Sequence, residues 1–190
     1  MISIGCVVLA AGNSTRFGKN KLLAGIEGKS MIERALEAVP AEKLSFVTVV
    51  TQYDSVAELA GAFGFERVVN EHPELGISCS VRLGTEALAD RCEGILYMVA
   101  DQPWLKRGSV ARMTDAFREH PDCIIAASSG GKRGNPCIFP RACFGELRSL
   151  SGDTGGRAVI ERHRDKLLMF ELPEEELSDV DAPEDISSQE

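Results

Sequence analysis

The sequence predicts a doubly wound, three-layer α/β/α domain with a mostly parallel central sheet. Strand-like and helix-like patterns alternate from one end to the other, which is typical of this class. The strand-like runs are short, continuous and rich in β-branched residues, as in strands buried on both faces. The length of 190 residues suits about one domain. We therefore expect residues 1–190 to form a single domain, with a frayed polar tail at residues 184–190.

Apolar runs bounded by turn residues predict the strands of this sheet. The stretch at residues 128–136, Ser-Ser-Gly-Gly-Lys-Arg-Gly-Asn-Pro, is irregular and predicts a loop that leads into a short strand. The predicted strands lie at Ile2–Ala10, Phe46–Thr51, Gly94–Ala100, Cys123–Ala127, Cys137–Phe139 and Leu167–Leu172.

Helical periodicity fills the intervals between these strands. Ser30 to Glu33 form a capping box, and Asp54 is predicted to cap a second helix that Gly64 stops. Ser78 and Ser109 are predicted to open a third and a fourth helix. The residues expected to face the sheet are Met31, Ile32, Ala35, Leu36 and Val39, then Val56, Leu59, Ala60 and Phe63, then Val81, Leu83 and Leu88, and finally Val110, Met113 and Phe117.

The amino-acid composition argues against several classes of binding partner and predicts the cellular compartment. Lys and Arg total 21 against 29 Asp and Glu, a net charge of −8, which argues against a nucleic-acid surface or an anionic membrane surface. No apolar run reaches the roughly 18–20 residues of a membrane span. The first residues lack a basic leader, and the six cysteines include no CxxC pair, so we expect a cytoplasmic protein with reduced thiols.

The first predicted strand ends in a segment rich in small residues. Leu9, Ala10, Ala11 and Gly12 allow backbone N–H groups to approach an anion, and Arg16 and Lys21 supply positive charge for phosphates. The position suits this role, because ligands of open α/β sheets bind beyond the carboxyl ends of the strands. An ordinary turn with solvated basic side chains is the alternative. The segment is neither a Walker loop nor a GxGxxG fingerprint.

Residues 9–23 read Leu-Ala-Ala-Gly-x-Ser-x-Arg-Phe-Gly-x-x-Lys-Leu-Leu, which resembles the opening motif of the molybdenum cofactor nucleotidyltransferases, most closely their cytidylyltransferase branch. Residues 101–103, Asp-Gln-Pro, and residues 70–80, Asn-x5-Gly-x3-Ser, resemble two further signatures. Residues 134–136, 151–157 and 179–185 match later blocks, with Ala182 where Thr is usual. The resemblance covers essentially the whole chain. It implies a Rossmann-like fold and transfer of a nucleoside monophosphate, CMP from CTP in the most similar branch, to molybdopterin cofactor with pyrophosphate release.

Two aspartates are candidate Mg²⁺ ligands. Asp101 follows a predicted strand, so its carboxylate is expected at the same sheet edge as Gly12, where it suits Mg²⁺. A helix N-cap is the alternative role for Asp101, and the residues alone leave both open. The resemblance favours the metal and implies Asp181 as the second ligand. The neighbouring Asp179, Glu184 and Asp185 are interpreted as a solvated acidic segment.

The resemblance also assigns residues to the two substrates. It implies contacts of Leu9, Ala10, Ala11, Gly12 and Ser80 with the nucleotide, although Ser80 also suits an ordinary first helical turn. Lys132, Arg133 and Asn135 are candidates for the acceptor, with a surface hairpin as the alternative. Asp153 and Arg157 remain without an assigned role.

Three functions stay open at this point. The first is a cytidylyltransferase acting on molybdopterin cofactor, whose product passes to a molybdenum hydroxylase. The second is a nucleotidyltransferase that uses GTP or a sugar phosphate. The third is a non-catalytic module that binds and delivers the cofactor, and a retained metal and triphosphate site disfavours it.

Overall fold

The computed structural model describes residues 2–13 and 20–187. Strands and helices alternate along these residues, as the sequence predicts. The strands are β1 Ile4–Ala10, β2 Gly25–Ile26, β3 Lys29–Ser30, β4 Phe46–Thr51, β5 Glu66–Val69, β6 Gly94–Val99, β7 Ile124–Ser129, β8 Lys132–Pro140 and β9 Leu167–Glu171. The helices are α1 Met31–Glu37, α2 Asp54–Ala62, α3 Ile77–Leu88, α4 Arg107–Glu119, α5 Phe144–Arg148, α6 Arg157–Arg162 and α7 Pro183–Ser187.

Seven of these strands form one sheet in the order β5-β4-β1-β6-β8-β7-β9. The pairs β1–β4, β1–β6, β4–β5 and β7–β9 are parallel, whereas β8 runs antiparallel to both β6 and β7. The predicted mostly parallel α/β sheet is therefore confirmed. The strand order reverses direction between β1 and β6, which creates a crevice beyond their carboxyl ends.

Each face of the sheet carries its own apolar core. Cys6, Val8 and Ala10 of β1 point into the core covered by α1, α2 and α4, while Val7 points into the core covered by α3, α5 and α6. Side chains alternate between the two faces because a strand has a period of two. Gly84 lets α3 approach the sheet, since a Cβ there would lie 2.5 Å from a methyl carbon of Val7.

The predicted loop at residues 128–136 is wrong. Strands β7 and β8 form an antiparallel hairpin joined by Gly130 and Gly131, whose φ angles are +54° and +77°. Two-residue hairpin turns require such positive φ angles, which glycine adopts without steric cost. Lys132, Arg133 and Asn135 consequently lie on a strand.

The first residues of the helices agree only in part with those predicted from the sequence. The Ser30–Glu33 capping box of α1 is present, with both reciprocal hydrogen bonds. Asp54 is the first residue of α2 and not its cap, because the extended Tyr53 takes that position. Ser78 and Ser109 lie inside the first turns of α3 and α4, which begin earlier than predicted.

Several further details differ from the sequence predictions. Phe63 is exposed, and its ring contacts that of Phe65. Strand β5 is absent from the predicted strands, because most of its residues are exposed and no apolar run marks it. Residues 183–187 form α7 where the sequence predicts a frayed tail. In the described ranges 2–13 and 20–187, no helix has the length and low charge that crossing a bilayer requires.

Candidate functional site

A cavity of about 460 Å³ lies beyond the carboxyl ends of β1 and β6. Its walls include residues 9–12 from β1 and the turn that follows, Val99 to Asp101 from the end of β6, and Ser80 from α3. Lys21 also contributes to the wall. We call this the first cavity. It gathers every residue that the sequence associates with a nucleotide except Arg16, which lies outside the described residues.

The backbone of residues 10–12 is held from the neighbouring strand β4. Thr51 Oγ1 donates to the Ala10 carbonyl at 2.9 Å, and Gln52 Nε2 donates to the Ala11 carbonyl at 2.8 Å. Tyr53 Oη donates to the Gly12 carbonyl at 2.7 Å. Three consecutive side chains thus fix three consecutive carbonyls, which sets the direction of the peptide groups along this wall.

Lys21 joins the ends of two distant segments. Its ammonium nitrogen lies 2.9 Å from Asp101 Oδ2, 2.9 Å from the Val180 carbonyl oxygen and 3.6 Å from Asp181 Oδ1. The Val180 N–H donates to the Asp101 carbonyl at 2.9 Å, so the C-terminal segment is anchored at the tip of β6. The Lys21 side chain is only 13% exposed, and the ion pair with Asp101 is therefore partly shielded from water.

Asp179 belongs to the same group of charges. Burial, together with the nearby carboxylates of Asp101 and Asp181, raises the pKa of Asp179, while a hydrogen bond from Gln102 acts in the opposite direction. Asp185 likewise accepts hydrogen bonds from the Asp181 and Ala182 N–H groups, both at 2.8 Å. Asp179 and Glu184 keep substantial solvent exposure, as expected for a solvated acidic segment, whereas Asp185 is only partly exposed.

The two carboxylates beside Lys21, those of Asp101 and Asp181, suit a divalent cation. Asp101 and Asp181 approach one cation, the Lys21 ammonium, from two sides, and Mg²⁺ in proteins takes one or two carboxylates together with phosphate oxygens and waters. Within the described part of the chain no three His, Cys, Asp or Glu side chains form a complete metal cage. The two aspartates thus fit a metal that shares its coordination with a phosphorylated ligand.

Asn70 and Ser80 form a buried polar pair at the edge of the first cavity. Asn70 Nδ2 donates to Ser80 Oγ at 2.9 Å, and the two residues are 1% and 5% exposed. Asn70 Oδ1 accepts from the His72 N–H at 2.9 Å. Ser80 thus lies where the sequence places it, in the first turn of α3, and faces the cavity.

A second cavity of about 480 Å³ adjoins the first. The two share Leu9, Ile77 and Val99 as common walls. The other apolar walls of the second cavity include Tyr97 and Phe139, whose rings meet edge to face at 5.8 Å between centroids. The polar walls are formed by Lys132, Arg133, Asn135 and Arg157. The predicted acceptor residues therefore line one cavity, although from a strand.

Arg133 is held by a carboxylate of α6. Its Nη2 lies 3.4 Å from Glu161 Oε1, and its side chain is 19% exposed. Hydrogen bonds and charge from Arg164, and more weakly from Arg133, lower the pKa of Glu161, so this carboxylate is ionised at neutral pH. Glu161 therefore orients the Arg133 guanidinium at the rim of the second cavity.

The segments before α3 and before α6 meet beside both cavities. Gly76 has φ of +84°, and a Cβ at this position would lie 2.6 Å from the Gly152 carbonyl oxygen. Only glycine satisfies both conditions. Asp153 lines the first cavity and Arg157 the second, so residues 152–157 run along the boundary between them.

Sequence reasoning missed Asn70, the three side chains of residues 51–53, and Glu161. Thr51 ends β4 and Gln52 and Tyr53 directly follow it, and the topology of a parallel sheet places them beside Gly12, so that signal was available. Asn70 opens the Asn-x5-Gly-x3-Ser segment, but its pairing with Ser80 depends on the fold. No local pattern marks Glu161 as a partner of Arg133.

Comparison with known sequences gives one family. Residues 6–167 match the model of the MobA-like NTP transferase domain. Purine catabolism protein PucB of Bacillus subtilis is 28% identical, over 94% of this chain and 92% of its own length. A molybdenum cofactor guanylyltransferase of Mesorhizobium japonicum is 29% identical, over 84% and 79%. The bifunctional protein GlmU of Rhizobium etli is 31% identical over 63% of this chain, which spans only 27% of that protein.

Solved structures agree with the fold. Rv0371c of Mycobacterium tuberculosis superposes with a TM-score of 0.80 at 25% identity, covering 99% of this chain and 97% of its own. A manganese complex of Rv0371c superposes with a TM-score of 0.72 at 25% identity, covering 90% and 88%. A nucleotidyl transferase of Methanothermobacter (Mth528) reaches 0.83 at 20% identity, covering 98% and 95%, a likeness of fold alone.

Proposed function

The chain belongs to the MobA-like NTP transferase family, and from this premise we propose that it transfers CMP from CTP to the terminal phosphate of a molybdopterin-type cofactor. The observation that carries the proposal is the pair of adjoining cavities. The first is lined by Lys21 and Asp101, with Asp181 beside Lys21, and the second has three cations above apolar walls. A two-substrate transfer needs such neighbouring sites, because both reactants must be held in line.

The first cavity is the proposed nucleotide site. Its backbone wall at residues 9–12, fixed by residues 51–53, presents peptide groups to the nucleotide, while Lys21 meets the triphosphate. Arg16 is proposed for the same role on the resemblance of the opening motif alone. These groups neutralise charge on the triphosphate and on the departing pyrophosphate.

Asp101 and Asp181 are the proposed holders of a divalent metal, Mg²⁺ under cellular conditions. The manganese complex of Rv0371c supports a divalent cation in a protein of this fold. When bound, the metal supplies Lewis acidity and charge neutralisation toward the phosphate oxygens. The protein's part is to hold the two carboxylates at one point, through the hydrogen bond that ties Val180 to Asp101.

The second cavity is the proposed acceptor site. Lys132, Arg133 and Arg157 supply positive charge for a phosphate, and Asn135 offers an amide. Tyr97 and Phe139 give apolar walls that suit a flat heterocycle. A pterin that carries a terminal phosphate combines these two features.

The proposed reaction needs no general base. The acceptor phosphate is already an anion near neutral pH, and one of its oxygens attacks the α-phosphorus of the triphosphate. A new phosphorus–oxygen bond forms, and the bond from the α-phosphorus to the β-phosphate oxygen breaks with its electron pair leaving on pyrophosphate. Positioning and charge neutralisation carry the catalysis.

The relatives and the opening motif imply different nucleobases for the nucleoside triphosphate that donates the transferred group. The Mesorhizobium relative is named a guanylyltransferase, which implies GTP for that protein. The opening motif at residues 9–23 instead resembles the cytidylyltransferase branch, and we propose CTP on this ground. GTP is the second candidate. We further propose cytoplasmic action and hand-over of the product to a molybdenum hydroxylase.

A pyrophosphate-release assay tests the proposal. The protein is given CTP, GTP, UTP or ATP with Mg²⁺, each with and without molybdopterin cofactor, and pyrophosphate is measured over time. With CTP as the donor, we expect pyrophosphate release only in reactions that contain the cofactor. Release with GTP alone among the triphosphates would correct the donor, and binding of cofactor without pyrophosphate release would favour a delivery module.

A further inference from the structure

The amide orientation of Asn70 is fixed by its surroundings. A backbone N–H can only donate, so the side-chain atom that lies 2.9 Å from the His72 nitrogen must be the oxygen Oδ1. The Cys79 thiol donates to the same oxygen at 3.3 Å. The amide nitrogen Nδ2 therefore points to Ser80 Oγ, 2.9 Å away, and donates to it. No flipped assignment satisfies these contacts.

The hydrogen bond from Asn70 determines what the Ser80 hydroxyl can do. Its oxygen accepts from Asn70, so its own proton is available for another acceptor. Thr85 in the same helix donates to the Val81 carbonyl, four residues earlier, at 2.6 Å, whereas Ser80 makes no such bond. Among the described residues, no protein acceptor takes the Ser80 proton, and the hydroxyl lies in the wall of the first cavity.

We propose that Asn70 orients the Ser80 hydroxyl so that its proton is directed at the nucleobase, and that this pair selects a base with an acceptor atom at that point. The inference rests on the proposed function, in which the first cavity binds the nucleotide. Asn70 is a positioning residue, since it is buried and acts only through Ser80.

The pair favours cytosine over guanine. The pairing edge of cytosine carries two adjacent acceptors, O2 and N3, beside the N4 amino donor, whereas that of guanine carries two N–H donors, on N1 and N2, beside one carbonyl. When the Ser80 proton is directed at the base, it meets an acceptor on cytosine but opposes an N–H group on guanine. A buried donor left without an acceptor is the costly case. The discrimination thus comes from the fixed direction of one proton.

Asn70→Asp reverses that direction with almost no change in size. A carboxylate still accepts from the His72 N–H, but it also accepts from Ser80 and so takes the proton away from the cavity. Ser80→Ala removes the proton outright while leaving Asn70 in place. Ser78→Ala is the matched control, because Ser78 is a buried serine in the same helical turn that does not line the first cavity.

The test is calorimetric titration of the wild type, the three single variants and the Asn70→Asp/Ser80→Ala double variant with CTP and with GTP at fixed Mg²⁺, together with thermal melting. We expect Asn70→Asp and Ser80→Ala each to raise the Kd for CTP about tenfold, as the loss of one hydrogen bond would. The Kd for GTP should stay within about threefold of the wild-type value. The double variant should be no worse than either single variant, because both changes remove the same proton.

Two outcomes overturn the inference. If CTP and GTP weaken by the same factor in Asn70→Asp and Ser80→Ala, the pair supports the cavity wall without reading the base. If Ser80→Ala leaves the Kd for CTP unchanged, the hydroxyl makes no contact with the base, even where Asn70→Asp melts at a much lower temperature. Failure of the wild type to bind any triphosphate would instead refute the proposed function, which keeps the two failures distinct.

Discussion

The Lys21 ammonium meets two aspartates and a backbone carbonyl, which places one fixed cation in the wall of the first cavity. A charge-assisted contact to phosphate contributes about 1.5–3 kcal/mol. We therefore predict that Lys21→Ala weakens CTP binding by roughly tenfold or more, measured by calorimetric titration. Lys29→Ala is the control, because the Lys29–Glu37 ion pair is about half exposed and lies elsewhere. Unchanged CTP affinity in folded Lys21→Ala protein would contradict the assignment.

Asp101 is the residue on which the metal assignment depends most. Asp101→Asn retains the size of the side chain and an oxygen that accepts from Lys21, but it removes the charge that a divalent cation needs. We predict near-complete loss of pyrophosphate release with little change in Tm, and weaker Mn²⁺ binding in the presence of CTP as seen by electron paramagnetic resonance.

The control for this change is Asp115→Asn. Asp115 pairs with Lys43 on the surface and is 48% exposed. Its replacement should therefore leave pyrophosphate release and Mn²⁺ binding unchanged. A fully active Asp101→Asn variant at ordinary Mg²⁺ concentrations would mean that the carboxylate has a structural role only.

At the scale of single residues, sequence patterns locate the side chains that follow strands. They do not locate hydrogen-bonded pairs whose two members are brought together only by the fold. Gly12 and Asp101 are expected at one sheet edge because parallel strands end together, and they line one cavity. A run of acidic residues predicts a solvated face, but it does not reveal that Asp185 accepts from the Asp181 and Ala182 N–H groups. The Asn70–Ser80 hydrogen bond has no sequence signature.

At the scale of elements, the sequence locates the buried strands closely and misses the β7–β8 hairpin. Strand β4 has the predicted limits, Phe46–Thr51, since its run is apolar on both faces. In β8 residues 132–135 are exposed or partly exposed, and the residues before Cys137 include Gly134 and Pro136. Such residues indicate a loop in isolation, but pairing with β7 overrides that local preference.

The hairpin carries Arg133 into the second cavity, and this permits a selective test. We predict that Arg133→Ala raises the KM for the acceptor about tenfold, with the KM for CTP changed less than about threefold, because one charge-assisted phosphate contact is lost. Loss of binding shared by ground state and transition state leaves kcat unchanged, whereas a lower kcat would show that Arg133 also orients the attacking phosphate.

Arg164→Ala is the matched control for this variant. Arg164 pairs with the same carboxylate, Glu161, but its side chain is 73% exposed and lies outside the second cavity. Its removal should leave both KM values unaltered. Equal increases of both KM values in Arg133→Ala would indicate general damage to the crevice, and no increase in either would leave Arg133 as a structural residue.

At the scale of the whole molecule, the topology explains why two sites adjoin. The chain forms β1, β4 and β5 toward one edge of the sheet and then returns to add β6 on the other side of β1. The crevice at this reversal receives residues from both halves, with Leu9 from β1 and Val99 from β6 forming part of the wall between the cavities. The alternation of elements predicts this crevice, whereas the antiparallel insertion of β8 depends on long-range pairing that periodicity does not encode.

The same two-core packing determines the chemistry of the thiols, and this gives a prediction for the whole chain. All six cysteines are free, five are buried, and Cys123 alone is partly exposed. Burial raises the pKa of Cys92 and Cys143 to about 11 and that of Cys137 to about 12, so at pH 8 only about one in a thousand of the Cys92 and Cys143 thiols is ionised. Because the thiolate is the reactive form, Ellman's reagent should react rapidly with one thiol in the native protein and with all six after unfolding in guanidinium without reductant. Cys123→Ser should abolish the rapid phase. Fewer than six reactive thiols in the unfolded wild type would reveal a disulfide and contradict the expected reduced state.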